Sequence, residues 1–168
     1  MSDSVPNRPG HRVPRRRLPA LGTMIALLPM LASPAATGAS ADDLLDIAAF
    51  RGQVVYVDFW ASWSAPCRHS FPWMSRLQGE LGPDGFIVIG VNLDHVHADA
   101  EQFLEDHIPR FGIVFDPNGL LAEKFGVKGI PTSFLIDRRG HIRWKHQGFQ
   151  LRDRDILARQ IRSLVLAH

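Results

Sequence analysis

The chain has 168 residues, of which 45% are hydrophobic and 21% are charged, and its formal net charge is +2. This composition supplies enough apolar material for one sizeable core, and it excludes a disordered chain, collagen and a coiled rod. Residues 1–41 hold five Arg and one Asp, so the basicity belongs to this segment and the rest of the chain is slightly acidic.

Residues 1–41 have the order of a secretory signal peptide. The basic part holds Arg12 and the run Arg15–Arg17, an apolar stretch follows over Leu18–Ala32, and small residues end the segment at Ala39-Ser40-Ala41. The apolar stretch is shorter than the roughly 20 residues that a membrane span needs. We therefore predict export to the periplasm or another extracytoplasmic space. A membrane tether formed by an uncleaved leader is the alternative.

From Asp42 onward, strand and helix patterns alternate. The run Val54–Trp60 is rich in β-branched and aromatic residues, as a buried strand requires. A helix is predicted from about Pro66 to Leu81, and Pro72 inside it predicts a kink. The apolar run Phe86–Leu93 has the length of a second strand.

The second half of the chain continues this alternation. Its predicted elements are a helix over Ala98–His107, a strand over Phe111–Phe115, a short helix over Leu120–Phe125, and hairpin strands over Thr132–Ile136 and His141–His146. A last helix carries an apolar stripe at i, i+4, i+7 and i+8, formed by Leu157, Ile161, Leu164 and Val165. These patterns predict one α/β domain over residues 42–168, with a mixed central β-sheet flanked by helices.

The residues with the clearest chemistry lie where the first strand ends. The segment Asp58–Arg68 leads from that strand through a short loop into the first long helix. The backbone N–H groups and the positive dipole end of this helix face Ser64–Cys67, a position that favours a thiolate. Cys67 is the only cysteine in the chain, so no intrachain disulfide can form and a cysteine-rich zinc site is excluded.

Several motifs share an informative order along the chain: VDFWASW at the first strand and loop, PCR and FPWM in the helix, VNLD at the second strand end, and GIPTSFLIDRRG later. In this order they resemble the thioredoxin superfamily, and specifically the exported thiol–disulfide oxidoreductases of the TlpA and ResA kind. The likeness covers nearly all of the chain from Asp42. It implies a thioredoxin-like fold, cysteine-containing protein substrates, a role in redox homeostasis and no bound cofactor.

The active loop departs from the family's pattern at one position. The family has Trp-Cys-x-x-Cys, whereas this chain has Trp63-Ser64-Ala65-Pro66-Cys67. In the family the first cysteine attacks a substrate disulfide, and the second resolves the mixed disulfide. A serine hydroxyl cannot perform thiol–disulfide exchange, so the resemblance implies that the two-cysteine cycle is absent and leaves open whether the chain is an enzyme. A natural loss and an introduced Cys-to-Ser change both fit this sequence.

The resemblance also assigns roles to residues around the cysteine. Asp58 corresponds to the aspartate beneath the resolving cysteine and would accept its proton. Pro131 corresponds to the family's cis-proline, which leaves the backbone of Ile130 free to pair with an extended substrate. Trp63 and Pro66 would border the substrate-binding surface.

Each of these positions also has a plain structural interpretation. Ser64 is a good helix N-cap through its hydroxyl oxygen, and we expect this loop position to be partly exposed. Cys67 is either a thiolate at the helix start or a buried, inert thiol. Asp58 could be a strand-end residue that is solvated or hydrogen-bonded, Trp63 a core residue, and Pro131 an ordinary trans turn proline.

Two other kinds of site share these residues. A single-cysteine peroxidase of the same fold has Thr or Ser three residues before its cysteine, as Ser64 stands before Cys67, but it also has a proline where this chain has Trp60. A copper or zinc site could combine Cys67 with His95 and His97, although no metal ligand is assigned. Five other histidines are expected on the surface: His69, His107, His141, His146 and His168.

The sequence as a whole predicts an exported thioredoxin-like protein that acts on the thiols of other proteins. The competing hypothesis is a non-catalytic module that binds or holds peptides and has lost the chemistry. A membrane redox partner is compatible with either hypothesis. No nucleic-acid partner is expected, because no basic patch and no phosphate-binding glycine loop occurs in the sequence.

Overall fold

The computed structural model describes residues 40–167, which form five strands and five α-helices. The strands are β1 (Val54–Trp60), β2 (Phe86–Asn92), β3 (Gly112–Phe115), β4 (Thr132–Ile136) and β5 (Ile142–Gln147). The helices are α1 (Ala41–Leu44), α2 (Ala65–Leu81), α3 (His97–Asp106), α4 (Leu120–Lys124) and α5 (Arg154–Leu166). Every strand predicted from the sequence is present, with ends that differ from the prediction by at most one residue.

The five strands form one mixed sheet in the order β3-β2-β1-β4-β5. The strands β1, β2 and β3 run parallel, whereas β4 is antiparallel to β1 and β5 is antiparallel to β4. Helix α2 supplies the crossover that a parallel pair such as β1 and β2 requires. The predicted hairpin of β4 and β5 is closed by a turn ending at Gly140, whose φ of 83° suits glycine.

Both faces of the sheet are covered by helices. One hydrophobic cluster joins the sheet to α2, α3 and α5, and a second joins the opposite face to α1 and α4. Every residue of β1 is buried as a result. The predicted stripe on α5 faces the first cluster, since Leu157, Ile161 and Val165 are buried and Leu164 packs against them.

Two features of the helices bear on the sequence predictions. Helix α2 continues through Pro72 without interruption, although this proline has no N–H to donate to the carbonyl of Arg68. Among residues 40–167, none of the helices combines the length and hydrophobicity that crossing a membrane requires. The predicted signal peptide lies outside the described residues, apart from Ser40 and Ala41.

Candidate active site

The active loop connects the end of β1 to the start of α2, and Asp94 holds it from the neighbouring strand end. The Ser62 backbone N–H donates to Oδ2 of Asp94 at 2.9 Å, and the Ser62 hydroxyl donates to Oδ1 at 3.0 Å. Asn92, the last residue of β2, also donates to Oδ2 at 2.7 Å. Because β1 and β2 are parallel neighbours, their carboxyl ends meet at one sheet edge and fix the loop between them.

Ser64 occupies the N-cap position of α2, but its side chain makes no capping hydrogen bond. The Ser64 side chain instead lowers the pKa of the Cys67 thiol, because its hydroxyl favours the charged form of that thiol. The residue is only 5% exposed. The expectation of a partly exposed serine that caps the helix through its hydroxyl is therefore wrong, because the loop folds inward over the start of α2.

Cys67 is fully buried in the first turn of α2, with no exposed surface. Burial, the larger cause, and the nearby Asp58 carboxylate together raise the pKa of the Cys67 thiol to about 11. Hydrogen bonds from Ser64 and from the backbone of Ala61 lower it, but they do not offset the burial. Of the two sequence interpretations, the structure favours the buried, protonated thiol over the thiolate.

Asp58 lies in the middle of the sheet and is 1% exposed. The Ser133 hydroxyl on β4 donates to its Oδ1 at 2.6 Å, whereas its Oδ2 is buried with no hydrogen-bond partner among residues 40–167. Burial raises the pKa of Asp58 to about 7, and the Ser133 hydrogen bond opposes this shift. Of the plain alternatives for this strand aspartate, a solvated side chain is wrong, because β1 is covered on both faces, whereas a hydrogen-bonded one is confirmed by the Ser133 contact. Such a carboxyl can exchange a proton near neutral pH.

The Ile130–Pro131 peptide bond is cis. Thr132 pairs with Phe59 near the end of β1, so Pro131 lies beside the point where the active loop begins. The carbonyl of Pro131 accepts from Gly148 N at 2.7 Å. Within the described part of the chain, the backbone of Ile130 makes no hydrogen bond and thus keeps both its donor and its acceptor.

Trp63 is the most exposed side chain of the loop, at 71% of its surface. The alternative that it belongs to the core is therefore wrong. It borders a groove of about 320 Å³ that also involves Arg68 at the start of α2 and Asp99, Gln102 and Asp106 on α3. Half-buried Pro66 adds a further apolar surface at the loop. An exposed tryptophan beside a groove is suited to contacting another molecule.

The residues considered for a metal site point elsewhere. His95 Nδ1 lies 2.9 Å from the carbonyl of Pro117, and the His97 ring packs on Phe115 with centroids 4.0 Å apart. Over residues 40–167, no group of three metal-ligating side chains comes together. The structure thus gives no support to a copper or zinc site at the loop.

Sequence reasoning missed two polar residues close to Asp58. Ser133 contacts its carboxylate directly, and Tyr56 lies two residues earlier on the same face of β1. Burial raises the pKa of Tyr56 strongly, and the charge of Asp58 adds to this effect. Two features of the sequence could have indicated them. Ser133 is a polar residue in the largely apolar run of β4, and Tyr56 stands two residues before Asp58, a spacing that places both on one face of a strand.

The fold and the loop together define the class of protein. A mixed five-stranded sheet whose first strand runs into a Ser-x-x-Cys loop at a helix start, beside a cis-proline, is a thioredoxin-like domain. The chain belongs to the AhpC/TSA family, whose model matches residues 32–145. This match confirms the predicted thioredoxin-like fold and superfamily.

Within this family, the chain is similar to the thiol–disulfide oxidoreductases named ResA and DsbE. The chain is 28% identical over 109 residues to the thiol–disulfide oxidoreductase ResA of Bacillus thuringiensis subsp. konkukian, covering 65% of this chain and 63% of the relative. It is 35% identical over 106 residues to the thiol:disulfide interchange protein DsbE of Vibrio cholerae, covering 62% and 55%. The chain therefore spans less than two-thirds of the length of these relatives.

Solved structures agree with this family. A crystal structure assigned as a DsbE thiol:disulfide interchange protein from Chlorobium tepidum matches with a TM-score of 0.70 and 45% identity, over 72% of this chain and 86% of the other. StoA from Bacillus subtilis matches with a TM-score of 0.57 and 28% identity, over 65% and 82%. The predicted membership in the thiol–disulfide oxidoreductases is confirmed.

Proposed function

We propose that this chain is an extracytoplasmic thioredoxin-like protein of thiol handling that binds cysteine-containing polypeptides and lacks the two-cysteine cycle. The observation that carries the proposal is the pair Ser64 and Cys67. The first position has no thiol to attack a disulfide, and the second has a thiol with no exposed surface.

The protonation of Cys67 supports the absence of turnover. Only the thiolate attacks a disulfide, and the pKa of about 11 keeps this thiol protonated at neutral pH. A single-cysteine peroxidase would also need a thiolate, so the same raised pKa argues against that alternative. The thiol remains placed to react only where a bound partner opens the loop.

The surface around the loop supports polypeptide binding. An extended chain that adds to a free edge gains main-chain hydrogen bonds, and Ile130, next to Pro131, offers an N–H and a C=O that have no partner among residues 40–167. Exposed Trp63 and half-buried Pro66 would contact its side chains. We assign these four residues to substrate binding and Asp58, Ser64 and Cys67 to the chemical site.

The first segment of the chain supports the extracytoplasmic location. Its basic run, apolar stretch and small-residue end are those of an exported protein. We expect the mature chain to begin near Ala39–Asp42, and intact-mass measurement on the extracytoplasmic fraction tests this. A full-length mass in that fraction would favour the uncleaved tether.

Peptide binding tests the proposed function directly. The probe is a synthetic extended peptide with one S-methylated cysteine, followed by tryptophan fluorescence and calorimetry. We expect Trp63→Ala to weaken binding. The control is Ile156→Ala, which removes an exposed apolar side chain from α5 rather than from the loop, and should leave binding unchanged. N-methylation of the peptide backbone beside the cysteine should also weaken binding, because it removes the N–H that pairs with Ile130.

Two results would contradict the proposal. One such result is that the parent and the Trp63→Ala variant bind the peptide equally well and the parent binds the methylated and unmethylated peptides equally well. The peptide would then not bind at this surface. Catalytic insulin reduction by the parent chain, above the background of the dithiol reductant alone, would show that turnover does not need a second cysteine.

A further inference from the structure

Three polar residues stand in one row across the sheet, from its buried centre to its edge. Asp58 on β1 pairs with Ser133 on β4, and Ser133 pairs with His146 on β5. Directly opposed side chains of antiparallel strands lie on the same face, with Cβ atoms about 4.5–5.5 Å apart. The row therefore leads from the carboxyl beneath Cys67 to the exposed edge strand.

The inner half of the row is a continuous hydrogen-bonded unit. The Ser133 hydroxyl donates to Oδ1 of Asp58 at 2.6 Å. The Tyr56 side chain lies near Ser133, because both residues line the same small cavity. The Ser133 hydroxyl can accept one proton while it donates another, which is the requirement for a relay.

A small cavity continues the row toward β5. Its volume is about 10 Å³, close to the smallest space that holds one water molecule. It is lined by the polar side chains of Tyr56, Ser133, His146 and Gln160, together with apolar residues of β4, β5 and α5. Most of its wall is apolar, and the polar side chains contribute only a small part of it, so the space suits at most one water that bridges Ser133 and His146.

His146 closes the row at the surface. Its side chain is 33% exposed, so the expected surface histidine is partly buried, and its Nε2 is buried without a hydrogen-bond partner among residues 40–167. Asp153 faces it from the turn before α5, with Oδ2 3.8 Å from Nε2. The groups around His146 are thus the Asp153 carboxylate and the uncharged side chains of Ser133, Tyr56 and Gln160.

The opposite side of Asp58 is closed to solvent. Cys67 and Ser64, in the loop and helix start that follow β1, are both buried. On the side toward β5, in contrast, polar side chains follow one another from Asp58 through Ser133 to His146.

We propose that the Asp58–Ser133–His146 row is a proton route between the buried carboxyl and solvent, independent of Cys67. In the inward direction, the His146 imidazolium releases one proton to the hydroxyl oxygen of Ser133 through a water in the cavity. Ser133 passes its own hydroxyl proton to Oδ1 of Asp58. The imidazolium loses one proton, the carboxylate gains one, and Ser133 ends with the number it had.

In this scheme Ser133 and His146 are positioning residues that act through Asp58. The route does not depend on the proposed function, because protonation of Asp58 can be followed without substrate and without a second cysteine. Failure of the route would leave the peptide-binding surface intact, and failure of peptide binding would leave the route intact.

The test is a caged-proton flash on the full chain, from above to below the pKa of Asp58. The signal is the infrared C=O band of the neutral carboxyl, which must disappear in Asp58→Asn. We expect His146→Ala to slow protonation by about 100-fold, the lower end of what a positioned acid–base group contributes. Added imidazole should restore the rate. The control is His141→Ala, because His141 sits on the same hairpin beside Asp137 and outside the row.

The outcomes decide the proposal. Slowing in His146→Ala, recovery with imidazole and no change in His141→Ala support it. Protonation as fast as in the parent would overturn it, and so would slowing that imidazole does not reverse, because a structural defect cannot be repaired by a free base. If His146→Ala fails to fold, His146→Gln keeps the shape of the side chain without its titration and must show the same slowing.

Discussion

Asp94 holds Ser62 through both of its carboxylate oxygens, and this contact joins the active loop to the end of β2. Removing the carboxylate by Asp94→Ala leaves the buried donors of the loop and of Asn92 without a charged acceptor. We expect the free energy of unfolding to fall by about 2–3 kcal/mol. Urea unfolding measures the change.

The control for this prediction is Asp99→Ala, an exposed aspartate at the start of α3. Its loss should change the free energy of unfolding by less than about 0.5 kcal/mol, as is usual for surface substitutions. Equal stability of Asp94→Ala and the parent would mean that the loop does not depend on this contact.

Cys67 should react slowly with thiol reagents in the native protein. Its pKa of about 11 is higher than the pKa of roughly 8.5 of a free thiol, so a smaller fraction of Cys67 is thiolate at neutral pH. The side chain is also buried. We expect the rate with an aromatic disulfide reagent to be at least about 100-fold lower in the native state than in urea. Comparable rates in the two states would show that Cys67 is accessible and reactive.

Asp58 should make stability depend on pH. Its folded-state pKa of about 7 lies above its ordinary value of 3.8, so the folded protein keeps a proton that the unfolded chain loses between these values. Stability is full below about pH 4 and falls as pH rises toward about 7, by up to about 4 kcal/mol. Asp58→Asn should remove this loss, because the amide stays neutral.

Urea unfolding at about pH 4 and about pH 8 tests this prediction. Asp58→Asn should match the parent at the lower pH and exceed it at the higher pH. An identical pH profile in both proteins would show that folding does not raise the pKa of Asp58. The predicted gain also means that the native carboxyl is retained at a cost in stability, as is common at functional sites.

The fold could be predicted from the sequence because its strands are apolar runs of clear length. Val54–Trp60 and Phe86–Leu93 are too hydrophobic for any place but a sheet covered on both faces, and the structure confirms this. The four-residue helix Ala41–Leu44 was not predicted, because so short a segment carries no readable period.

The site could be predicted only in part. The motifs predicted that Asp58, Cys67 and Pro131 lie close together, but they did not predict how deeply the loop is buried. Burial depends on packing between elements that are far apart in the sequence, so Ser64 was expected to be more exposed than it is. The position of His146 opposite Ser133 depends on strand register, which the sequence alone did not specify.

Ser64→Cys tests the central claim, that this is a thioredoxin-type dithiol site with serine at the attacking position. Positions 64 and 67 lie one helical turn apart, and the family closes a disulfide across this spacing. No capping hydrogen bond is lost in the variant, because the Ser64 hydroxyl makes none. The new sulfur must enter a nearly closed position, so the fold is first checked by circular dichroism.

The matched control is Ser163→Cys, which adds a thiol on α5. Neighbouring Arg162 contacts Glu80 at 2.7 Å, and Glu80 lies about 20 Å along α2 from Cys67, so the two thiols cannot meet. Both variants are oxidised and their free thiols are counted, and insulin reduction is then measured. We predict no free thiols and catalytic turnover for Ser64→Cys, against free thiols and no turnover for the control. A folded Ser64→Cys variant that keeps two free thiols and reduces no insulin would contradict the account.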